Sequence, residues 1–174
     1  KVFTMDEIMR LPSVSRFHFI ECGANTAVEW GNVAVPTVQY THGMLSCCEF
    51  TGVPLSLLLK EAGVKAGASW IVAEGAEEIK GDSSIPLAKA MSDCLVAYGM
   101  NGEDLRPQQG YPVRLIPPGF EGIFHTKYLR RIKIVDEYYM NYNDFGHLDR
   151  DATEAALAFQ IGPKSVITRP SGGQ

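Results

Sequence analysis

Strand-patterned and helix-patterned segments follow one another along this chain without strict alternation, and that order limits the fold more than any single motif does. Residues 16–22 alternate large apolar and polar side chains, the pattern of a half-buried strand. Residues 37–48 are rich in β-branched and apolar residues and read as one or two strands broken at Gly43. Further strands are expected at 69–73, 94–98, 111–116 and 129–135, with Asn101-Gly102 as a tight turn. Helices are expected at 4–10, 52–63 and 84–92. Thr4 and Glu7 stand at capping-box spacing, Pro54 and Pro86 suit a first helical turn, Ser84 lies near a cap, and Gly63 suits a helix end. Regular strand–helix alternation builds a parallel sheet; this order instead predicts an α+β domain with a mixed sheet.

The texture changes at residue 136. Residues 136–154 are aromatic and polar with little periodicity, which reads as an irregular surface segment or linker. Residues 164–168 then carry a strand pattern, followed by a Pro/Gly turn. The expected organisation is therefore a first domain over 1–150, with 151–174 as a linker and the first strand of a second, truncated domain. The chain opens at Lys1 rather than Met, so a processed or truncated start is expected.

Composition narrows the function classes. The chain has 174 residues, enough for one domain with a real core, and its apolar fraction of 45% and charged fraction of 21% are ordinary for a globular protein. A net charge of −4 offers no global basic surface for nucleic acid. No apolar run is long enough to cross a bilayer as a helix. The cysteines Cys22, Cys47, Cys48 and Cys94 match no zinc spacing, and the histidines His18, His42, His125 and His147 show no H-x-x-x-H or H-E-x-x-H arrangement. Cys47, Cys48 and Cys94 read as small buried apolar residues.

Cys22 differs in its surroundings. It ends an apolar strand and enters the small-residue loop Gly23-Ala24-Asn25, so its sulfur is placed to face a cavity. A thiolate there is a soft ligand suited to a soft or high-valent metal; a buried structural thiol is the plainer alternative. A basic cluster follows much later. Gly110-Tyr111-Pro112-Val113-Arg114 puts a guanidinium on a strand, and Gly119 and Gly122 precede His125-Thr126-Lys127. Arg114 and Lys127 bring fixed positive charge suited to a phosphate, or else serve as a basic strand edge. Tyr138, Tyr139 and Tyr142 sit among Asn141, Asn143 and Asp144, where a phenol can donate a hydrogen bond to an anion or simply pack a surface loop.

Taken together, several co-linear segments resemble the sulfite oxidase family of molybdopterin-binding oxidoreductases. They are Phe19-Ile20-Glu21-Cys22-Gly23-Ala24-Asn25, Thr51 through Leu59, Ser84-Ile85-Pro86-Leu87, Ala97 through Gly102, Gly110 through Arg114, and Pro118 through Arg131. The resemblance implies a sulfite-oxidase-type fold followed by an immunoglobulin-like dimerisation domain starting near Lys164. It implies that Cys22 is the protein thiolate on molybdenum and that Gln109, Arg114, His125, Thr126 and Lys127 hold the pterin and its phosphate. Tyr142 would match the active-site tyrosine. Gln109-Gly110 replaces the family's usual His-Gly, and Asn25 through Trp30 replaces its arginines. These departures, with Gln39 through Met44, are similar to the sulfane dehydrogenase branch. That branch implies oxidation of a sulfane sulfur on a carrier protein and a cytochrome c acceptor, with haem only on a partner subunit. It also implies a periplasmic location and a homodimeric or heterotetrameric assembly. Oxidation of free sulfite and a cofactor-free scaffold are the competing readings.

Overall fold

The computed structural model describes residues 1–25, 37–77, 82–141 and 160–170, and in them short helices flank two antiparallel sheets. Helix α1 (Met5–Arg10) begins as its sequence dictates. The Thr4 side chain accepts from the Glu7 backbone N–H while the Glu7 carboxylate accepts from the Thr4 backbone N–H at 2.7 Å. Strand β1 (Val14–Glu21) pairs with β2 (Leu45–Pro54) from Val14↔Gly52 to Glu21↔Leu45. The other side of β2 pairs with β5 (Leu95–Met100), which also pairs with β6 (Glu103–Asp104) and β7 (Arg114–Ile116). A second sheet holds β3 (Trp70–Gly75) between β4 (Ser83–Pro86) and β8 (Leu129–Val135). The α+β class holds. The mixed sheet expected from the segment order is antiparallel throughout among the described residues.

Helices α3 (Leu55–Ala62) and α4 (Leu87–Ser92) start later than the proline positions suggest. Pro54 ends β2 and Pro86 ends β4, both as residues preceding a helix. The physical reason is the same twice. The Leu55 N–H donates to the Cys94 carbonyl and the Leu87 N–H to the Ser69 carbonyl, each at 2.8 Å. A neighbouring backbone thus takes a first-turn donor that would otherwise lack a partner, and the strand can run straight into the helix. Residues 38–41 correct a second expectation: Val38–Thr41 is a short helix, α2, and β2 begins only after Gly43.

The core lies between the sheets and beneath α3, with Leu55, Ile71, Ile85 and Leu115 fully enclosed. Each such side chain stabilises the fold by about 1.5–3 kcal/mol. Cys94 belongs to this core, and burial pushes its thiol up to about 12, so it behaves as a small apolar residue. Cys48 is half-buried beside Phe50, Leu95 and Ile116. Cys47 contradicts the buried reading: it is exposed, because it pairs with Phe19 on the face of the β1–β2 ladder that carries the exposed Phe17 and Phe19.

The segment after β8 is irregular but anchored. Ser69 Oγ donates to the Asp136 carbonyl and Ser84 Oγ to the Tyr139 carbonyl, each at 2.5 Å. Tyr138 packs edge-on against Trp70, with ring centroids 5.3 Å apart. Further on, Gln160 bridges to Phe120, and residues 161–168 carry no regular structure where a strand over 164–168 was expected. A strand needs a ladder partner, and none pairs with 164–168 among the described residues. No helix among them is long and apolar enough to cross a membrane.

Candidate cofactor site

Cys22 stands where its sequence context places it, one residue past the end of β1. It is exposed and lines a cleft of about 800 Å³ together with Ile20, Gly23, Ala24, Gly43, Met44, Leu45, Ser46, Gly122 and Ile123. Its loop is held by the backbone opposite. The Cys22 N–H donates to the Met44 carbonyl at 3.0 Å, and the Asn25 N–H donates to the Cys22 carbonyl at 2.9 Å. Asn25, itself buried, donates through Nδ2 to Glu21 at 2.8 Å and accepts at Oδ1 from the Met44 N–H at 3.1 Å. Sequence reading passed over Glu21, Asn25 and Met44 as a support. The Asn three residues after the cysteine is a visible signal for it, since Asn side chains commonly bond nearby backbone in loops.

A separate, buried wall is built by β7 and the turn that follows it. Arg114 is only 5% exposed, and burial pulls its guanidinium down to about 10, so it stays charged at neutral pH. It donates to the carbonyls of Gln109 at 3.0 Å and His125 at 3.5 Å and stacks over Phe50 at 5.8 Å. Lys127 Nζ donates to the Gln108 carbonyl at 3.2 Å. The two cations expected at a phosphate therefore brace the Pro107–Gln109 turn. Gly110 makes this bracing possible. Its φ of +106° suits glycine, and a Cβ there would lie 2.9 Å from Lys127 Cβ.

His125 is buried, and burial pulls its imidazole down to about 3 despite the Phe120 carbonyl, which favours the charged ring. It is neutral at physiological pH. Nε2 lies 3.1 Å from the Phe120 carbonyl, which only accepts, so Nε2 carries the proton and Nδ1 presents a lone pair. His125 thus adds no positive charge for a phosphate.

Three buried polar atoms on this wall lack a hydrogen-bond partner among the described residues: Arg114 Nε, His125 Nδ1 and Thr126 Oγ1. Such atoms are rare in folded proteins and costly unless something polar meets them. A donor, an acceptor and a hydroxyl that does both form a set that a pterin's mixed edge satisfies. The residues present therefore fit the cofactor implied by the resemblance.

The two walls meet at the Gly122–Phe124 turn. A Cβ on Gly122 would stand 2.9 Å from the Glu21 carbonyl, so glycine lets the turn seat against the residue before Cys22. The same turn leads directly into His125 and Thr126. Gln109 is half-buried, with its carbonyl held by Arg114. Tyr142 lies outside the described residues; its neighbour Asn141 donates to Ser84 Oγ at 3.2 Å.

An exposed thiol in a braced loop, seated against the turn that leads into a group of buried polar side chains, is what this α+β framework offers a polar, metal-bearing cofactor. The chain belongs to the oxidoreductase molybdopterin binding domain family, whose profile matches residues 1–143. It shares its fold with the crystal structure of the sulfane dehydrogenase SoxCD from Paracoccus pantotrophus, with a TM-score of 0.89 and 40% identity over 97% of this chain and 44% of that one. It is 35% identical to the mitochondrial sulfite oxidase of Drosophila melanogaster, over 79% of this chain and 26% of that protein. It is 32% identical to the NADH nitrate reductase of Cucurbita maxima, over 97% of this chain and 22% of that protein. The chain thus spans about a quarter of these two relatives and less than half of the solved chain.

Proposed function

We propose that the intact protein is a molybdenum-dependent oxidoreductase acting on sulfur, with a sulfane sulfur on a carrier protein as substrate and cytochrome c as electron acceptor. The observation that carries this reading is the exposed Cys22 in its braced loop, joined by the Gly122–Phe124 turn to three unpartnered buried polar atoms. When bound, the molybdenum cofactor supplies the redox change and oxygen transfer, and the protein supplies position and electrostatics.

This chain's own residues divide those tasks. Cys22 Sγ is the soft protein ligand for the metal. Asn25 and Met44 fix its backbone. Arg114, Thr126 and His125 would hold the pterin, with Arg114 Nε and Thr126 Oγ1 available to donate and His125 Nδ1 to accept. Neutral His125 leaves Arg114 as the charge of the buried wall. Gln109 and Lys127 border the same turn, and Tyr142 orients substrate. The choice of substrate rests on the cleft. Its described lining is largely apolar and carries no charged side chain, which suits a group delivered by a larger partner over a small free dianion. The likeness to a sulfane dehydrogenase points the same way.

Oxidation of free sulfite is the second reading, favoured by the likeness to a sulfite oxidase. Steady-state assays with free sulfite and with a thiosulfate-charged carrier protein separate the two: turnover of the carrier alone supports the first, turnover of sulfite alone the second. Elemental analysis tests the frame itself. About one molybdenum per intact protein is expected, and a content near zero would replace the enzyme with a scaffold. With this function go a periplasmic location, haem confined to a partner subunit, and a homodimer or heterotetramer formed through an immunoglobulin-like domain, with 151–174 as the linker toward it.

A further inference from the structure

Lys164 is separated from Glu21 by 143 residues, yet its ammonium donates to the Glu21 carboxylate. Glu21 is the residue immediately before Cys22 and is only 5% exposed. The segment bearing Lys164 is attached independently: the Ile161 N–H donates to the Gly119 carbonyl at 2.8 Å, and Gln160 bridges to Phe120. Gln160, Ile161, Gly162 and Lys164 line one side of a cavity of about 150 Å³ whose other side includes Glu21, Cys22 and Gly23.

We infer that Lys164 is a positioning residue for Cys22, and that the 160–164 segment is a strut locking the cysteine loop in the shape that presents its sulfur. The chain of contacts is continuous. Lys164 neutralises a carboxylate that burial alone would expel. The carboxylate holds Asn25 Nδ2, Asn25 Oδ1 holds the Met44 N–H, and the Met44 carbonyl holds the Cys22 N–H. Removing the ammonium leaves a buried charge without compensation. The carboxylate then turns outward, Asn25 loses its anchor, and the loop opens. The 160–164 segment therefore sets the geometry of the thiol at the site. This inference rests on Cys22 being the working ligand, but its test does not.

Amide exchange followed by NMR on the 174-residue chain, without cofactor, reads the loop directly. Lys164→Ala is expected to speed exchange of the Cys22, Asn25 and Met44 amides about tenfold while leaving Ile71 and Val72 of β3 unchanged. Lys164→Arg keeps the charge and is expected to stay within about twofold of the parent chain. Ile161→Pro removes the segment's other tether and is expected to loosen the same three amides. If Lys164→Ala unfolds the chain, shown by lost protection in β3, Ile161→Pro decides alone. Unchanged loop exchange in a folded Lys164→Ala, or in Ile161→Pro when the first variant unfolds, overturns the strut. Loosening by Lys164→Arg as large as by Lys164→Ala overturns the charge pairing. Cys22→Ser leaves all these contacts in place, so failure of Cys22 as a ligand shows in molybdenum content and failure of the strut shows in exchange.

Discussion

The loop of Cys22 and the wall of Arg114, His125 and Thr126 lie on either side of the Gly122–Phe124 turn but are built on opposite terms. The loop is open to solvent, and its order comes from backbone hydrogen bonds and a buried Asn25–Glu21 pair held by the exposed Lys164. The wall is buried, and polar atoms within it remain unpaired. A metal-binding thiol needs access and a fixed direction, and solvent exposure costs it little. A pterin-binding wall needs polar groups already stripped of water, and the fold carries that desolvation whether or not a ligand is present. The two regions should therefore separate activity from stability.

The largest effect expected is on activity. Cys22→Ser should abolish turnover of the intact protein, because a hydroxyl does not replace a soft thiolate on the metal. Its unfolding free energy should stay within about 0.5 kcal/mol of the parent, since an exposed side chain adds little to packing. Steady-state assays and urea denaturation check the two halves, and full activity in this variant would remove Cys22 from the mechanism.

Arg114→Ala reverses the pattern. The guanidinium holds the carbonyls of Gln109 and His125 and covers Phe50, so its loss leaves buried acceptors unpaired and a void beside them. A destabilisation of about 3 kcal/mol is expected even without cofactor. Urea unfolding of the 174-residue chain measures it. A loss below about 1 kcal/mol would mean that the wall is no more structural than the loop.

The histidine of the wall sharpens the comparison through pH. Burial lowers the His125 pKa to about 3 from the usual 6.5, so the unfolded chain takes up a proton that the folded chain refuses. Its contribution to stability is complete above pH 6.5 and is lost as pH falls toward 3. Between pH 6 and 5 the parent should lose about 1 kcal/mol per pH unit relative to His125→Asn. His18 is also depressed, by burial and then by Arg16, but the subtraction cancels it. Equal slopes in the two proteins would show that His125 is not held neutral.

Much of the local structure was legible in the sequence because its causes are local. The Thr4–Glu7 capping box, the Asn101-Gly102 turn with φ of 53° and 80°, and the end of α3 at Gly63 each depend on residues a few positions apart. The starts of α3 and α4 were read early because Cys94 and Ser69, distant in sequence, accept the first helical N–H groups. At the site, Cys22 and the Arg114–Lys127 stretch were legible as residue types and through resemblance. Their roles were not. Nothing in the sequence distinguishes an Arg that meets a phosphate from one that braces a turn, or a charged His125 from a neutral one, because burial decides both. The Glu21–Lys164 pair was invisible for the same reason on a longer scale.

The smallest effect expected is the most discriminating, because its sign runs against habit. Replacing a buried threonine by valine usually costs stability, since it breaks a hydrogen bond. Thr126 Oγ1 has none to break among the described residues. The exchange keeps the side chain's shape and removes an uncompensated hydroxyl, so Thr126→Val should stabilise the cofactor-free chain by about 1 kcal/mol. In the intact protein the same change should weaken cofactor retention, measured as molybdenum lost on prolonged dialysis. A group that harms the empty fold and helps the loaded one is kept for its ligand. If the valine variant is instead less stable without cofactor, the hydroxyl already has a partner, and the wall loses its claim to be a site prepared in advance.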